Sequence, residues 1–415
     1  MHMNVILATI IAFVLLEYVL SSILSYLNGQ WMTHPIPQLL QGLYDEQQYA
    51  KQQSYMRANR RVARVKRGVE VVVMLALLVA GVYGGYDNWC KSCCGTGIVE
   101  LLVFFLGCQL LVMLISLPFD YYSTFAVEQR FGFNKTTAAT FWLDCVKGFL
   151  VEYVLTAIVM CGMFLLYQWL GSSFWIWSTC FLAAIIVIVN LFYSSVIVPL
   201  FNKQTPLEAG PLREAIEQAA AQMQFKIKNI YVINGSKRST KANAYFTGFG
   251  PRKRIVLYDT LIEQLTTDEI VAVLSHEIGH YKHHDTLLGM LRAIVMVAAY
   301  LWVFSLVVSS PELPAALGGE APSFALSILA FSMLLTPIEI ALNPVVNIMS
   351  RRAEYKADAF AARHGLGVQL VSALMKLSVN TMTNLTPHPL VVWFNYSHPT
   401  LYQRVLAINN NIIQK

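Results

Sequence analysis

The chain has 415 residues, of which 56% are hydrophobic and only 13% charged, and its mean hydropathy is +0.51. Soluble domains are about a quarter charged, so this composition excludes an ordinary soluble protein and indicates a polytopic membrane protein. The net charge of +6 is too diffuse to suggest a nucleic-acid partner, and it fits basic loops on one side of a membrane.

Seven apolar runs follow one another, each close to the ~20 residues that a membrane-crossing helix needs. They cover roughly residues 4–27, 69–86, 98–119, 149–171, 174–200, 286–309 and 323–346. The second run is short and contains glycine. The first run is long enough to span and no basic segment precedes it, so we expect no cleavable signal peptide.

The basic residues lie in alternate loops. The first loop (28–68), the third (120–148), the fifth (201–285) and the tail after the seventh run are rich in Lys and Arg. The second loop contains only Lys91, and the fourth and sixth contain neither Lys nor Arg. By the positive-inside rule the basic side is cytoplasmic and the N-terminus lies outside.

The chain divides into four predicted parts: a membrane domain (1–200), a catalytic domain (201–285), two further spans (286–346) and a C-terminal segment (347–415). In the first loop, a helix is expected from Pro37 to Arg67. In the fifth loop, the pattern predicts a helix over 211–223 and short strands at Ile230–Ile233 and Arg254–Tyr258, with Asn243 to Phe246 between them, before Gly248 and Gly250. The pattern of the C-terminal segment predicts helices, with loops near 383–399.

An H-E-x-x-H motif at His276, Glu277 and His280 lies in a helical run of the fifth loop. Positions i and i+4 share one helix face, so both imidazoles can bind a single Zn²⁺. Glu277 follows the first of them, where it can act as a general base towards water. The alternative is a chance match on an amphipathic helix.

Two histidines leave a catalytic zinc one protein ligand short. The extended motif with a glycine at position 283 and a histidine at 286 is excluded, because these are His283 and Thr286. Glu354 is the candidate third ligand, and Asp358 one turn later can accept a hydrogen bond from a ligand histidine. Spans six and seven bring Glu354 back to the side of His280, near the cytoplasmic face. The alternative for Glu354 is a surface residue.

With these motifs the chain resembles the Ste24-type CAAX prenyl protease family, integral-membrane zinc metallopeptidases of peptidase family M48. The resemblance covers essentially the whole chain. Further matching stretches are Ser116–Phe119, Phe131–Lys135, Ser236–Ser239, Asn243–Phe246, Tyr258–Leu261 and Ser397–Pro399. It implies a mostly α membrane protein, with seven helices forming a barrel around a water-filled chamber and a small α/β zincin-like catalytic domain.

The resemblance also implies one Zn²⁺ per chain and removal of the C-terminal tripeptide after a prenylated Cys. Residues Asn243, Ala244, Tyr245 and Phe246 would pair with the substrate backbone as an added strand. His398 would donate to the tetrahedral oxyanion, with Arg404 supporting that end of the site. Polar side chains within the spans fit a wet interior or pairing between helices; they are Glu17, Glu339, Asn343 and Asn347.

Several alternatives stay open. The substrate is a prenylated C-terminal motif or, in a bacterium, proteins undergoing quality control or general peptide processing. The chain ends without a dilysine retrieval pattern, so the sequence favours a bacterial inner membrane over the ER membrane. A different class is a seven-helix channel, transporter or receptor with a structural zinc, which usually has four protein ligands. A disulfide is allowed among Cys90, Cys93 and Cys94, and the oligomeric state is open.

Overall fold

The computed structural model describes residues 4–227, 229–248 and 253–413, with the exception of the Ser172 side chain. Gly250, which follows the predicted segment Asn243 to Phe246, and residues 414–415 at the end of the chain lie outside this part.

The N-terminal half is a series of long helices. They are α1 (Val5–Trp31), α2 (Glu46–Val79), α3 (Val82–Cys94), α4 (Ile98–Tyr122), α5 (Gln129–Phe131), α6 (Ala138–Leu170), α7 (Phe174–Phe192) and α8 (Val198–Phe201). Two π-helical segments, Ser123–Glu128 and Tyr193–Ile197, continue α4 and α7.

The second half alternates strands with helices before it returns to the membrane. In order, it contains β1 (Gln204–Pro206), α9 (Pro211–Gln222), β2 (Ile230–Ile233), β3 (Ala244–Thr247), β4 (Arg254–Tyr258), α10 (Asp259–Gln264), α11 (Thr267–Lys282), α12 (Asp285–Val307), α13 (Glu312–Ala316), α14 (Phe324–Leu334), α15 (Thr336–Arg363), α16 (Gly367–Asn380), α17 (Pro389–Asn395) and α18 (Leu401–Ile413).

Among the described residues, five helical spans are long and apolar enough to cross a membrane, and the number rises to seven if each of two bent helix pairs forms one span. The pair α2 and α3 bends by 64°, and the pair α14 and α15 bends by 52°. The second and seventh apolar runs therefore remain candidate spans, but each contains a bend that the hydropathy pattern did not indicate. The second breaks at Gly81, whose φ of 64° is easily reached only by glycine.

The spans form the wall of a barrel. Of the most apolar stretch in each single span, between 6% and 17% of the residues are buried, so these helices do not surround a solid core. Glu17 and Glu339 are exposed. Asn343 and Asn347 instead donate to the Phe394 carbonyl, at 3.0 Å and 2.5 Å. Pairing between helices therefore holds for the two asparagines, whereas a wet environment of Glu17 and Glu339 stays a prediction.

The four strands form one mixed sheet in the order β1, β2, β4, β3. Strands β2 and β4 are parallel, and the two outer pairs are antiparallel. The central strand β4 is buried on both faces, with Ile255, Val256 and Leu257 at most 1% exposed. Strand β3 is thus an edge strand of the described sheet, and one row of its backbone groups has no strand partner there.

Two ion pairs hold the segment before β3 against the membrane half of the protein. Arg238 forms a bidentate pair with Asp144 of α6, with N–O distances of 2.7 Å and 2.8 Å. Lys241 lies 2.8 Å from the Glu128 carboxylate and 2.9 Å from the hydroxyl oxygen of Tyr55. The position of β3 therefore follows the membrane helices.

Several local predictions need correction. Helix α2 begins at Glu46, not near Pro37, and Asp45 caps it. Cys90, Cys93 and Cys94 lie on α3 rather than in a loop, and all three are free thiols. The expected loop near 383–399 contains helix α17.

Glu269 joins α11 to α16. Burial alone would raise its pKa, but hydrogen bonds from Lys376, Ser372 and the Thr266 backbone outweigh this and lower the pKa to about 2. The ammonium of Lys376 lies 2.7 Å from one carboxylate oxygen, and Ser372 donates at 2.7 Å. The carboxylate thus stabilises the fold only while it is ionised.

We expect Lys376→Met to lower the Tm in detergent by about 2 °C at pH 7, because Glu269 loses a partly exposed charged partner. A depressed folded pKa contributes stability above the ordinary value of 4.5 that is lost as the pH falls towards 2. The Tm difference between wild type and variant should therefore shrink over that range. The exposed Lys226→Met is the control, and an undiminished difference at acid pH would contradict this account.

Candidate active site

Helix α11 presents two faces with different roles. Thr266 and Glu269 form a reciprocal capping box that starts the helix. Ile270, Leu274 and Ile278, spaced by four residues, are buried on the face that packs against the sheet and neighbouring helices. The metal-binding motif occupies another face, so hydrophobic burial sets the rotation of the helix.

Gly279 lets α11 lie against α15. A Cβ at this position would meet the Ala357 Cα at 3.0 Å and the Phe360 Cβ at 3.1 Å, closer than side chains normally pack. Ala357 is fully buried in the same contact. Because α15 continues from the seventh span, this contact brings Glu354 beside the α11 histidines.

The three predicted ligands converge. The Nε2 atoms of His276 and His280 lie 3.1 Å apart. Glu354 places Oε1 at 3.3 Å from His280 Nε2 and Oε2 at 3.5 Å from His276 Nε2. His276 and Glu354 are almost fully buried, and His280 is partly exposed.

This cluster fits a zinc ion by its own geometry. Ligand atoms around a tetrahedral zinc lie about 3.3 Å apart, close to all three separations found here. Glu354 Oε2 is buried and has no hydrogen-bond partner among the described residues, which is costly unless a cation completes it. The donor set of two imidazoles and one carboxylate is that of catalytic zinc sites, which keep one position open.

Each histidine is held by a carboxylate at its other nitrogen. Asp358 Oδ1 lies 2.9 Å from His276 Nδ1, and Asp285 Oδ2 lies 2.9 Å from His280 Nδ1. The Nδ1 atoms donate, which leaves both Nε2 atoms free for a metal. Asp358 was predicted in this position. Asp285, the first residue of the following helix α12, was missed.

These carboxylates also raise the pKa of both histidines. Burial alone would lower the pKa of His280, but hydrogen bonds to Glu354 and Asp285 outweigh it and raise the pKa to about 9. The pKa of His276 is also raised, because Asp358 and Glu354 outweigh burial and the Arg404 charge. A metal that needs neutral imidazoles must therefore displace protons.

Arg404 and His398 approach the cluster from the C-terminal segment. Arg404 on α18 donates to both oxygens of Asp358, at 2.9 Å and 2.6 Å. One of its nitrogens lies 3.7 Å from Glu354 Oε2. His398 is 64% exposed in its side chain, with Nε2 at 3.2 Å from Glu354 Oε1. Both residues therefore border the site, and one Arg404 nitrogen also lies 3.3 Å from His276 Nδ1.

Glu277 and β3 complete the surroundings. Glu277 is partly exposed and close enough to interact electrostatically with His280 and Arg404. A cavity of about 370 Å³ joins the end of β3, through Phe246 and Thr247, to His280. A second cavity of about 620 Å³ is lined by Asn243, Tyr245 and Phe246, among others. Ala244 occupies the first position of the edge strand.

A helical membrane barrel with a buried His–His–Glu cluster defines the class of membrane metallopeptidases, and comparison with known proteins agrees. Residues 25–203 match the model "CAAX prenyl protease N-terminal, five membrane helices". Residues 206–412 match the model of peptidase family M48. The chain therefore belongs to peptidase family M48, and it is a metalloendopeptidase of the Ste24 type.

Similar proteins are known from several eukaryotes. The chain is 31% identical to a CAAX prenyl protease 1 homolog of Arabidopsis thaliana over 97% of both chains. It is 36% identical to a homolog from rice over 75% of this chain and 74% of the other. The crystal structure of S. mikatae Ste24p superposes with a TM-score of 0.93 at 28% identity, covering 97% of this chain and 99% of that one.

Gly279→Ala should push α15 away from α11, because the added methyl group overlaps with Ala357 and Phe360. We expect a loss of about 1–3 kcal/mol of stability and lower metal affinity, measured by thermal unfolding and by zinc titration against a chelator. Gly289→Ala on α12 is the matched control, since its nearest neighbour would be the Arg292 side chain at 3.8 Å. Equal metal affinity in both variants would show that the contact does not position Glu354.

Asp285→Asn should lower metal affinity by about 10- to 100-fold, because His280 loses the carboxylate that fixes its tautomer. Metal content after dialysis against graded chelator measures the effect. Asp268→Asn, an exposed change of the same charge in the first turn of α11, should retain the wild-type affinity. If both variants bind metal equally well, Asp285 does not orient the ligand.

Proposed function

We propose that this protein is a zinc-dependent endopeptidase with His276, His280 and Glu354 as the ligands of one Zn²⁺ per chain. The observation that carries the proposal is the convergence of these three ligand atoms, all within 4.8 Å of one another, next to a partly exposed Glu277. When bound, zinc supplies a Lewis acid that polarises the scissile carbonyl and acidifies water.

Side chains of the protein supply proton transfer, oxyanion stabilisation and the orientation of His276. Glu277 takes the proton of the attacking water and delivers it to the leaving amine. His398, exposed at the edge of the cluster, donates a hydrogen bond to the oxyanion. Asp358 and Arg404 hold His276 in its orientation, since Asp358 is fully buried beside His276 and Arg404, which is only 12% exposed in its side chain, pairs with Asp358. Each of these roles is a proposal that the geometry supports.

The substrate backbone pairs with the free edge of β3, along Asn243, Ala244, Tyr245 and Phe246. Two features support this. The edge has no strand partner among the described residues, and a cavity beside it reaches His280. An extended peptide added there forms main-chain hydrogen bonds that are independent of sequence.

The substrate class that we favour is a prenylated protein or peptide, cleaved to release the C-terminal tripeptide. The support is that relatives from rice, Arabidopsis, Saccharomyces cerevisiae and human are named CAAX prenyl protease 1 or its homolog. The alternative is general peptide processing or membrane-protein quality control. A channel or transporter with a structural zinc is not supported, because the chain belongs to a peptidase family.

We infer that the site opens near the cytoplasmic face of the membrane, from the basic loops on that side. The bacterial inner membrane, which the sequence favoured, gains no support from the relatives named above, since all come from eukaryotes. The ER membrane, the other location considered, is therefore the one that we propose.

Glu277→Gln should retain one zinc per chain and lower peptidase activity by about 10²- to 10⁴-fold, the range that general acid–base catalysis supplies. Metal analysis and a peptide-cleavage assay on the same detergent-purified samples measure both quantities. The exposed Glu263→Gln is the charge-matched control and should retain full activity. Wild-type activity in zinc-loaded Glu277→Gln protein would exclude Glu277 as the base.

A farnesylated CAAX peptide and the same peptide without the prenyl group separate the two substrate classes. Preferential cleavage of the farnesylated peptide supports the CAAX proposal. Equal cleavage of both peptides by the wild-type protein favours general peptide processing.

A further inference from the structure

Three arginines of α2 face α1 across a cavity of about 420 Å³. Arg60, Arg64 and Arg67 are spaced by four and three residues, so they share one face of the helix. The remaining lining comes from α1 alone: Tyr18, Ser22, Ser25, Tyr26, Gly29 and Gln30. The metal site and the substrate strand contribute nothing to this cavity.

The three arginines form no ion pair with the described residues, although Glu17 of α1 lines an adjoining cavity together with Arg60 and Arg67. No carboxylate of the described residues lies within 4 Å of the three guanidinium groups, whereas Lys66 on the same helix pairs with Asp120 at 2.9 Å. Like charges four residues apart on a helix destabilise it. An anion in the cavity would reverse this cost.

Donors remain available for such an anion. Arg60 donates to the Ser25 carbonyl at 2.9 Å, and Arg67 donates to the Ser21 carbonyl at 3.0 Å. A guanidinium carries five N–H donors, so these bonds to α1 use only part of the capacity. Arg64 is exposed to the cavity.

The Arg60 guanidinium lies directly over Gly29 of α1, and it donates to the nearby Ser25 carbonyl. A Cβ at position 29 would displace the end of this flexible side chain. Contact between Arg60 and the α1 backbone therefore forms one side of the cavity.

On the same side of this cavity, the surfaces of both helices become apolar. On α1, Leu15 and Leu16 precede it and are exposed; on α2, Val69 and Val72 follow it and are exposed. Because the two helices run antiparallel, these side chains extend from the arginines into the membrane. A fitting ligand therefore has an anionic head and hydrocarbon chains.

We propose that the arginine cavity binds the phosphate headgroup of an anionic phospholipid, whose acyl chains lie along the apolar surfaces of α1 and α2. A planar guanidinium can donate two parallel hydrogen bonds to two oxygens of one phosphate group. Basic residues at the cytoplasmic boundary attract anionic lipids. The site is separate from the proposed peptidase chemistry and does not depend on it.

Native mass spectrometry and thermal shift of the full chain in detergent test the proposal, with dioctanoyl phosphatidic acid as the probe and dioctanoyl phosphatidylcholine as the zwitterionic reference. Wild type should prefer the anionic lipid by about tenfold or more, given the attraction of several basic residues. Arg64→Gln/Arg67→Gln should abolish the preference. Arg57→Gln/Arg61→Gln, which removes equal charge from the same helix outside the cavity, should retain it.

Each other outcome overturns the proposal. Equal loss of preference in both double variants means that diffuse surface charge attracts the lipid. Binding of inorganic phosphate or glycerol phosphate as tightly as the lipid means a site for a free anion. If the cavity variant does not fold, the wild-type titration decides alone: no preference for phosphatidic acid over phosphatidylcholine overturns the lipid site.

Discussion

The contact between α11 and α15 at Gly279 is the constraint on which the metal cluster depends. Helix α11 is fixed by the sheet and its core, whereas α15 belongs to a bent pair of helices that is a candidate membrane span. The absence of a Cβ lets the helices approach until Ala357 packs on Gly279. Ligand positions are sensitive to shifts of about 1 Å. One glycine therefore couples a membrane helix to the folded domain within the tolerance that a metal site needs.

Around that contact, charge is balanced by elements distant in sequence. Glu354 and Asp358 are buried on neighbouring turns of α15 and would repel each other as carboxylates. Arg404 lies against both, and its helix α18 is held by Val405 and Ile408, which are fully buried. Removing one partner of such a buried set leaves an uncompensated charge. The last helix is thus required for the electrostatics of the site, although it contributes no metal ligand.

Local spacing explains what the sequence could predict. The i and i+4 relation of His276 and His280 follows from helix geometry, and β2 and β4 coincide with their predicted ranges because both are short β-branched runs. The bends at Gly81 and Leu335 lie inside continuous apolar runs. Hydropathy alone does not indicate that the helix axis changes direction within such a run. Asp285 was missed because its role depends on the break between α11 and α12, at which His284 adopts a φ of 58°. Tertiary packing determines where such helix breaks occur, and the hydrophobic periodicity of the sequence does not indicate them.

The membrane half does more than anchor the peptidase domain. The segment leading into β3 is clamped by Arg238 to Asp144 on α6 and by Lys241 to Glu128, and both carboxylates belong to the N-terminal half. Lys241 also stacks on the rings of Tyr55 and Phe133. The metal ligands are positioned by α11 and α15, whereas the edge strand is positioned by α6 and the π-helical turn. If a peptide pairs with β3 as proposed, its distance from the cluster of His276, His280 and Glu354 is therefore set by how the two halves dock.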